Sequence, residues 1–157
     1  MPWRRAVRAY KRKGETRMKI STKGRYALRL MIDLAANDMA GPVRVKEIAG
    51  RQGISEKYLE QIVSMLNRAG YVKSVRGPQG GYRLTKAPGE YTAGMILRLT
   101  EGSLVPVGCV EEEGADCERE DGCATRMLWE KVYAAVCQVV DGITIADLLK
   151  WQQEGRE

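Results

Sequence analysis

The sequence predicts a mainly α-helical fold with one small β-hairpin, on three observations. Apolar residues recur at helical spacing in several segments of the chain. Only residues 71–76 and 82–85 have the composition of strands. The stretch 77–81 between them holds three glycines and a proline, so it can only form a turn or loop.

The first three helices are expected at residues 22–37, 46–52 and 55–69, where apolar stripes are regular. Gly53 permits a sharp turn between the second and the third. Ser55 can cap the third helix. The second and third helices therefore form a predicted helix-turn-helix, and the hairpin that follows makes the predicted domain a winged helix-turn-helix.

Three further helices are expected after the hairpin. A short one begins after Thr92, a long one spans residues 123–140, and Thr144 caps a last one that reaches Trp151. The apolar stripe of the long helix extends beyond what a small winged domain needs to cover, and comprises Leu128, Val132, Ala135, Val136 and Val139. The simplest partner for this stripe is a second copy of the chain, so we expect a dimerisation helix.

The 157 residues are expected to form one compact domain with appendages. The predicted division is a basic arm at 1–17, the winged domain at 18–105, a cysteine-bearing acidic sensor loop at 106–122, and the dimerisation helix with a C-terminal helix at 123–152. The arm has the composition of a disordered tail, and Met18 as the true start is the alternative. No apolar run approaches the ~18 residues of a membrane helix, and no secretory signal is evident. We therefore expect a cytoplasmic protein without a membrane partner.

Charge is distributed unevenly along the chain, whose net charge is +6. Residues 18–105 contain fourteen basic and seven acidic side chains, whereas residues 106–122 contain one basic and seven acidic side chains. The basic part is expected to face a polyanion, and the acidic loop is expected to lie away from it.

The exposed face of the third helix mixes cations with hydrogen-bonding groups. It carries Lys57, Tyr58, Glu60, Gln61, Ser64 and Arg68. A DNA-recognition helix needs donors and acceptors for base edges and cations for phosphates. Gln61 can pair with an adenine edge, and Glu60 can accept from cytosine N4. From the helix pair alone, a merely solvated polar face is an equal alternative.

The hairpin adds a second indication of DNA binding. Arg76 stands at its tip beside Gly77, Gly80 and Gly81, where little side chain blocks a close approach. An arginine flanked by glycines suits insertion into a narrow, electronegative minor groove. An ordinary hairpin turn would explain the glycines but not the arginine. Double-stranded DNA is therefore the predicted partner.

Four stretches of the sequence resemble the Rrf-two family of bacterial regulators. They are MKISTKGRYALRLMIDLA, VKEIAGRQGISEKYLEQIVSMLNRAGYVKSVRGPQGGYRL, CATRMLWEKV and ITIADLL. The resemblance covers about residues 18–150, and the pairing of ISEKYLEQ with SVRGPQGGY is highly specific.

The resemblance implies a homodimeric repressor that binds a roughly palindromic operator. By position, the base-contacting residues map onto Ser55, Lys57, Tyr58, Glu60 and Gln61. The minor-groove wing maps onto residues 76–81 and so includes Arg76, Gly77, Gln79 and Gly80. The phosphate-contacting start of the first helix maps onto Lys23, Gly24, Arg25 and Tyr26.

Three of the four cysteines lie close together, at Cys109, Cys117 and Cys123. Their spacing is not a standard zinc pattern and contains no Cys-x-x-Cys pair. Three soft ligands on a loop suit an iron–sulphur cluster. The resemblance implies these three as the ligands, and we expect a 2Fe–2S cluster. Cys137 lies inside the long helix and is expected to be a small buried residue.

The fourth ligand of such a cluster stays open. Some members of the family supply a histidine three residues after the last cysteine, where this chain has Arg126, and the chain contains no histidine. A guanidinium stays protonated and is a poor ligand. The alternatives are a group from the partner subunit, no fourth ligand, or one of the nearby carboxylates Asp116, Glu120 and Asp121.

A repressor without a cluster is the alternative function. Its thiols would act as redox switches or bind zinc, or a partner enzyme such as one of cysteine synthesis would control DNA binding. An enzyme is disfavoured because no nucleophile–base pair, carboxylate pair or nucleotide-binding glycine loop is evident. The turn at 77–81 lacks the Lys-Ser/Thr that follows the glycines of a phosphate-binding loop.

Overall fold

The structure is a computed structural model, and it describes residues 19–110 and 122–155. In these residues the chain forms helices α1 to α6 and strands β1 and β2, at Thr22–Asn37 (α1), Val45–Gln52 (α2), Glu56–Arg68 (α3), Val72–Val75 (β1), Gly81–Leu84 (β2), Ala93–Glu101 (α4), Ala124–Gly142 (α5) and Ile145–Glu154 (α6). Short 3-10 turns lie at Asp38–Ala40, Pro88–Glu90 and Gly108–Val110. The mainly helical fold with one hairpin is confirmed. None of the helices described combines the length and hydropathy that crossing a membrane requires.

The element boundaries differ from the predicted ones by a few residues. β1 and β2 are shorter or shifted by one residue, and α6 continues to Glu154 instead of ending at Trp151. Thr92 and Thr144 cap α4 and α6 as expected, each accepting a backbone hydrogen bond of 3.1 Å. Ser55 holds the position before α3, but its side chain makes no capping hydrogen bond.

Helix α1 lies at the centre of the packing, in contact with α3, α4 and α6. Its apolar face is fully buried and comprises Ala27, Leu30, Met31 and Leu34. The amphipathic face of α3 supplies a second buried set, Leu59, Ile62, Val63 and Leu66. Tyr91, Ile96 and Ile145 join the same cluster from later in the chain. The segment before α4, α4 itself and α6 therefore contribute to the same core as α1 and α3.

Asp33 is a buried carboxylate within this core, only 5% exposed. It accepts hydrogen bonds from Arg51 at 2.6 and 3.1 Å and from Gln52 at 2.9 Å. The hydrogen bond to Asp33 is the main cause that raises the pKa of Arg51. Because a buried charge must be compensated, these bonds tie the middle of α1 to the end of α2.

Helix α5 differs from the others because none of its residues is buried. Its apolar side chains Leu128 and Val139 are 51% and 58% exposed. The helix rests on α4, and the turn at Gly108–Val110 also lies against it. An apolar stripe of this kind is left uncovered by the rest of the described chain.

We expect Asp33→Asn to lower the free energy of unfolding by about 1.5–3 kcal/mol, because the variant weakens charge-assisted hydrogen bonds in a buried site. Urea unfolding followed by circular dichroism measures this change. Asp38→Asn is the matched control, since Asp38 contacts Arg83 at 3.5 Å in a half-exposed ion pair. The control should cost less than about 1 kcal/mol. Equal losses in the two variants would contradict the anchoring role of Asp33.

Candidate nucleic-acid interface

The start of α1 is held against the end of α4. The Ser21 hydroxyl accepts from the Gly24 backbone at 3.2 Å and donates to the Glu101 carboxylate at 2.6 Å. The Ser21 backbone N–H donates to the same carboxylate oxygen at 3.2 Å. A β-carbon at Gly24 would collide with that oxygen, so glycine permits the close approach. Lys23 and Arg25 are exposed on this fixed first turn, where the predicted phosphate contacts lie.

An aromatic contact brings α1 and α3 together. The rings of Tyr26 and Tyr58 pack edge to face with their centroids 5.9 Å apart. The guanidinium of Arg29 lies over the Tyr26 ring, 5.5 Å from its centroid. Arg29 also donates to the Gln52 side chain at 2.9 Å and to the Gln52 carbonyl at 2.7 Å. The second bond satisfies a carbonyl at the C-terminus of α2, which the helix leaves without an internal partner.

Sequence reasoning missed Arg29 as part of this surface. The residue stands three positions after Tyr26, and that spacing puts both side chains on one face of a helix. The signal was therefore present, but only the fold brings Gln52 within reach of the guanidinium. Tyr58 is half-buried in this cluster, so its ring helps to hold α3 against α1.

The exposed face of α3 presents the remaining predicted base contacts. Ser55, Lys57, Glu60 and Gln61 are all exposed. Helix α3 follows a sharp turn in which Gly53 adopts a left-handed conformation, with φ of +63°. Glycine is the residue that adopts this conformation at least cost, as the sequence predicted.

The wing is a hairpin with a third segment along its outer edge. β1 and β2 pair antiparallel, with Val75 opposite Gly81. Tyr82 and Val43 exchange two backbone hydrogen bonds of 2.8 Å each. A β-carbon at Gly81 would lie 2.5 Å from the Val43 carbonyl oxygen, so this close pairing needs glycine. The chain before α2 therefore supports the wing from the side.

The tip of the wing is exposed at Arg76, Gly77, Pro78 and Gln79, whereas Gly80 is half-buried. Gly77 has a φ of +115°, in the region that favours glycine. The Gly80 N–H donates to the Gly77 carbonyl at 2.9 Å and closes the turn. A side chain at Gly80 would collide with the backbone of the preceding strand. The glycines are thus required by the shape of the tip, while the exposed arginine is not.

The predicted DNA contacts fall into two groups. The start of α1 and the first turn of α3 are joined through Tyr26 and Tyr58. The wing tip is connected to the start of α2, where the Arg44 guanidinium donates to the Pro78 carbonyl. β1 lies against α3, so both groups share one scaffold.

Two of the three predicted cluster ligands lie in described residues. Cys109 is half-buried in the 3-10 turn that contacts α5, and Cys123 is half-buried at the residue that precedes α5. The Cys123 thiol lies 3.2 Å from the Thr125 hydroxyl. Cys117 and the carboxylates Asp116, Glu120 and Asp121 lie outside the described residues. Within residues 19–110 and 122–155, no three Cys, Asp or Glu side chains are gathered into a metal-binding group.

Arg126 lies in the first turn of α5, at the position where the resemblance implied a possible histidine ligand. Its guanidinium donates to Glu130 at 3.0 Å, in an ion pair along the exposed helix. The arrangement gives Arg126 a local partner on the same helix. It supplies no nitrogen with a lone pair for a metal.

The prediction that Cys137 is buried is wrong, because its side chain is only half-buried between α4 and α5. The Arg98 guanidinium donates to its sulphur at 3.4 Å and to the Asp141 carboxylate at 2.6 and 2.8 Å. The hydrogen bond from Arg98 is the main cause that lowers the pKa of Asp141. The pKa of Tyr133 shifts in the other direction, and its main cause is a hydrogen bond with Cys137, which raises it. No residue of α5 is buried, so the face that carries Cys137 stays partly open, which helical spacing alone did not reveal.

The apolar stripe of α5 forms one wall of a groove beside this junction. A groove of about 490 Å³ runs between α5, α4 and the segment before α1. Its walls are Ile20, Leu97, Leu104, Val132, Ala135, Val136, Val139 and Val140. The groove continues the exposed apolar stripe of α5.

A helix-turn-helix, a glycine-tipped wing and an exposed basic surface define a winged-helix DNA-binding regulator. The sequence profile of the Rrf2 family, described as an iron-dependent transcriptional regulator, matches residues 20–151. The chain therefore belongs to the Rrf2 family of transcriptional regulators.

Individual relatives agree with this membership. The chain is 45% identical over 140 residues to the HTH-type transcriptional regulator CymR of Bacillus subtilis, covering 89% of this chain and 96% of the relative. It is 42% identical over 132 residues to the regulator IscR of Aliivibrio salmonicida, covering 84% and 77%.

Solved structures of such relatives have the same fold. The structure of CymR, the global cysteine regulator of B. subtilis, superposes with a TM-score of 0.74 at 44% identity, covering 85% of this chain and 97% of that one. The structure of IscR from T. potens superposes with a TM-score of 0.71 at 42% identity, covering 88% and 91%. The chain is thus similar both to CymR and to IscR.

We expect Gly24→Ala to destabilise the protein by about 0.5–2 kcal/mol, because the new methyl group displaces the Glu101 carboxylate from its hydrogen bonds with Ser21. Gly50→Ala is the matched control. Gly50 is helical and exposed, and a β-carbon there meets nothing within 4 Å. The control should stabilise by about 0.5–1 kcal/mol, since alanine favours helix over glycine. Thermal unfolding of both variants checks the pair, and two stabilising changes would refute the close contact.

The Arg98–Asp141 ion pair predicts a pH-dependent contribution to stability. Because the folded pKa of Asp141 is lowered, the contribution is present above the unfolded pKa of about 3.9 and is lost as pH falls through the folded pKa. Asp141→Asn should cost about 0.2–1 kcal/mol near neutral pH, as the pair is partly exposed, and progressively less in acid.

Urea unfolding at several pH values measures the difference between the wild-type protein and Asp141→Asn. Glu154→Gln is the control, since Glu154 contacts Lys150 at 3.8 Å on the exposed face of α6. A difference that grows as pH falls would be the wrong sign and would remove Asp141 as the titrating group.

Proposed function

We propose that this chain is a homodimeric, operator-binding repressor whose DNA binding is modulated by a 2Fe–2S cluster on Cys109, Cys117 and Cys123. The observation that carries the cluster is the position of two of these thiols. Cys109 lies in the turn against α5, and Cys123 is the residue from which α5 begins. The loop between them therefore leaves from and returns to the proposed dimerisation helix.

The proposed DNA contacts use three parts of the winged domain. At the start of α1 they are Lys23, Arg25 and Tyr26; directly before α3 and on it they are Ser55, Lys57, Tyr58, Glu60 and Gln61; on the wing they are Arg76, Gly77, Gln79 and Gly80. All of these residues except the half-buried Tyr26, Tyr58 and Gly80 are exposed, and this exposure supports the assignment together with the basic balance of residues 18–105. Cations that neutralise phosphates release counterions, so binding should weaken steeply with salt. Binding to chromosomal DNA places the protein in the cytoplasm.

The proposed homodimer follows from the exposed stripe of α5. No residue of this 19-residue helix is buried, so a monomer would leave the apolar side chains of the stripe exposed to water. A second copy would cover Leu128 and the groove that Val139 helps to line. Two recognition helices related by a twofold axis would then read a palindromic operator.

The donor set fits an iron–sulphur cluster in kind. Thiolates are the soft ligands that such clusters take. The fourth ligand is supplied by a carboxylate of the loop (Asp116, Glu120 or Asp121) or by the partner subunit, or an iron site stays open. A bound cluster would add sensitivity to iron supply, oxidants and small ligands. The chain's own residues hold the two ends of the loop next to α5.

A repressor without a cluster is the second candidate, and a specific observation favours it. Arg126 fills the place of a possible histidine ligand and pairs with Glu130. The chain is also 44% identical to a protein described as a global cysteine regulator. In this candidate the thiols respond to redox state or bind zinc, or an enzyme of cysteine synthesis controls DNA binding.

Purification without oxygen distinguishes the two candidates. We expect a coloured protein with matching amounts of iron and acid-labile sulphide, and an operator affinity that changes when the cluster is removed. The operator is the duplex that the protein itself enriches from a random-sequence pool. Serine at Cys109, Cys117 or Cys123 should bleach the colour, whereas Cys137→Ser should keep it. Colourless, iron-free protein that still binds its duplex would replace the cluster with the second candidate.

A further inference from the structure

We propose that Arg44 is a positioning residue for the wing. Its guanidinium holds the wing turn through the Pro78 carbonyl and so sets how Arg76 enters the minor groove. The proposal rests on the DNA-binding role proposed for the wing. It adds a specificity-determining residue that lies outside the helix-turn-helix contacts and outside the wing itself.

The backbone places Arg44 next to the wing. Val43, the preceding residue, exchanges two 2.8 Å hydrogen bonds with Tyr82 of β2. Arg44 continues in extended conformation, with φ of −78° and ψ of 140°, and α2 begins at the next residue. Its side chain is exposed and contacts Pro78, which lies 34 positions later in the sequence. The strand-like pairing of Val43 fixes the point from which the side chain starts.

The wing turn needs a restraint of this kind. Each strand has only four residues, and a two-stranded hairpin of that size is marginally stable by itself. The turn is closed by the hydrogen bond between Gly80 and Gly77, and glycines have wide conformational freedom. The hydrogen bond from the Arg44 guanidinium to the Pro78 carbonyl restricts the conformation of the turn at its middle. This restraint limits the orientations that the neighbouring Arg76 can adopt.

The wing position matters because minor-groove readout depends on shape. An arginine enters a narrow, A·T-rich groove favourably only if the loop that carries it approaches at the right depth. Loss of the hydrogen bond between Arg44 and Pro78 would allow the wing to bind wider minor grooves as well. The expected consequence is weaker discrimination between A·T-rich and G·C-rich flanks, with recognition by α3 unchanged.

A guanidinium has five N–H donors, so Arg44 has the capacity to contact a phosphate as well. The two roles make different predictions in a double-mutant cycle. A positioning residue acts through Arg76, so its removal matters only when Arg76 is present. An independent phosphate contact costs the same affinity whether Arg76 is present or not.

The experiment uses the full chain and the duplex that it enriches from a random-sequence pool. Fluorescence anisotropy at constant salt measures Kd for this duplex and for a copy in which the A·T pairs of the flanks are replaced by G·C. Arg44→Ala should weaken binding to the enriched duplex by about two- to tenfold and reduce the flank discrimination, as one hydrogen bond is lost. Arg44→Lys retains a donor and should recover part of the discrimination.

In an Arg76→Ala background, Arg44→Ala should change Kd by less than about twofold. Arg83→Ala is the charge-matched control, because Arg83 belongs to β2 but pairs with Asp38 instead of the turn. It should lower affinity without changing the flank discrimination. Thermal unfolding of each variant separates a folding defect from a binding effect.

Equal losses from Arg44→Ala in both backgrounds would overturn the positioning role and make Arg44 a phosphate contact. Unchanged flank discrimination in Arg44→Ala would overturn it as well. If the wild-type protein enriches no duplex at all, the DNA-binding function itself fails, and this result is distinct from either failure of Arg44.

Discussion

The burial of α1 is the constraint on which the rest of the structure depends. α1 packs against α3, α4 and α6, so the recognition helix and the end of the winged domain are positioned by the same apolar face. A buried carboxylate sits in that face, and Asp33 is acceptable there only because Arg51 and Gln52 compensate it. Those two residues end α2, directly before the turn into α3. α1 thus contributes to the core and is also hydrogen-bonded to the end of α2.

Each part of the interface has its own polar anchor outside the core. Glu101 holds the first turn of α1 through Ser21, Arg29 holds the end of α2 through Gln52, and Arg44 contacts the wing turn. These anchors are exposed or half-exposed, so each contributes little to stability and much to geometry. In a DNA-binding domain the core makes the scaffold rigid. Base readout then depends on the orientation of a few side chains, which polar contacts outside the core can restrain.

The link between the winged domain and α5 is of a different kind. Arg98 and Asp141 join α4 to α5 through an ion pair in which both side chains remain partly exposed. Glu101 follows Arg98 by one helical turn and holds the start of α1. Two polar contacts and one helix therefore connect α5 with the first turn of α1, where phosphate contacts are proposed. Such a connection would couple the proposed sensor loop to the proposed DNA contacts if two states of that loop favoured different positions of α5.

The sequence by itself determined the helices and the hairpin of this protein and the family to which it belongs. Helical periodicity predicted the helices, composition predicted the hairpin, and the caps at Thr92 and Thr144 were predicted from their residue types, because these signals are local. The resemblance to the Rrf-two family came from contiguous motifs and was confirmed. Tertiary structure decided the rest, namely the contacts of Arg29 and Arg44, the close approach at Gly24 and Gly81, and the half-exposed position of Cys137. These features join residues far apart in sequence, and no local pattern encodes which distant carbonyl or carboxylate a folded chain brings within hydrogen-bonding distance.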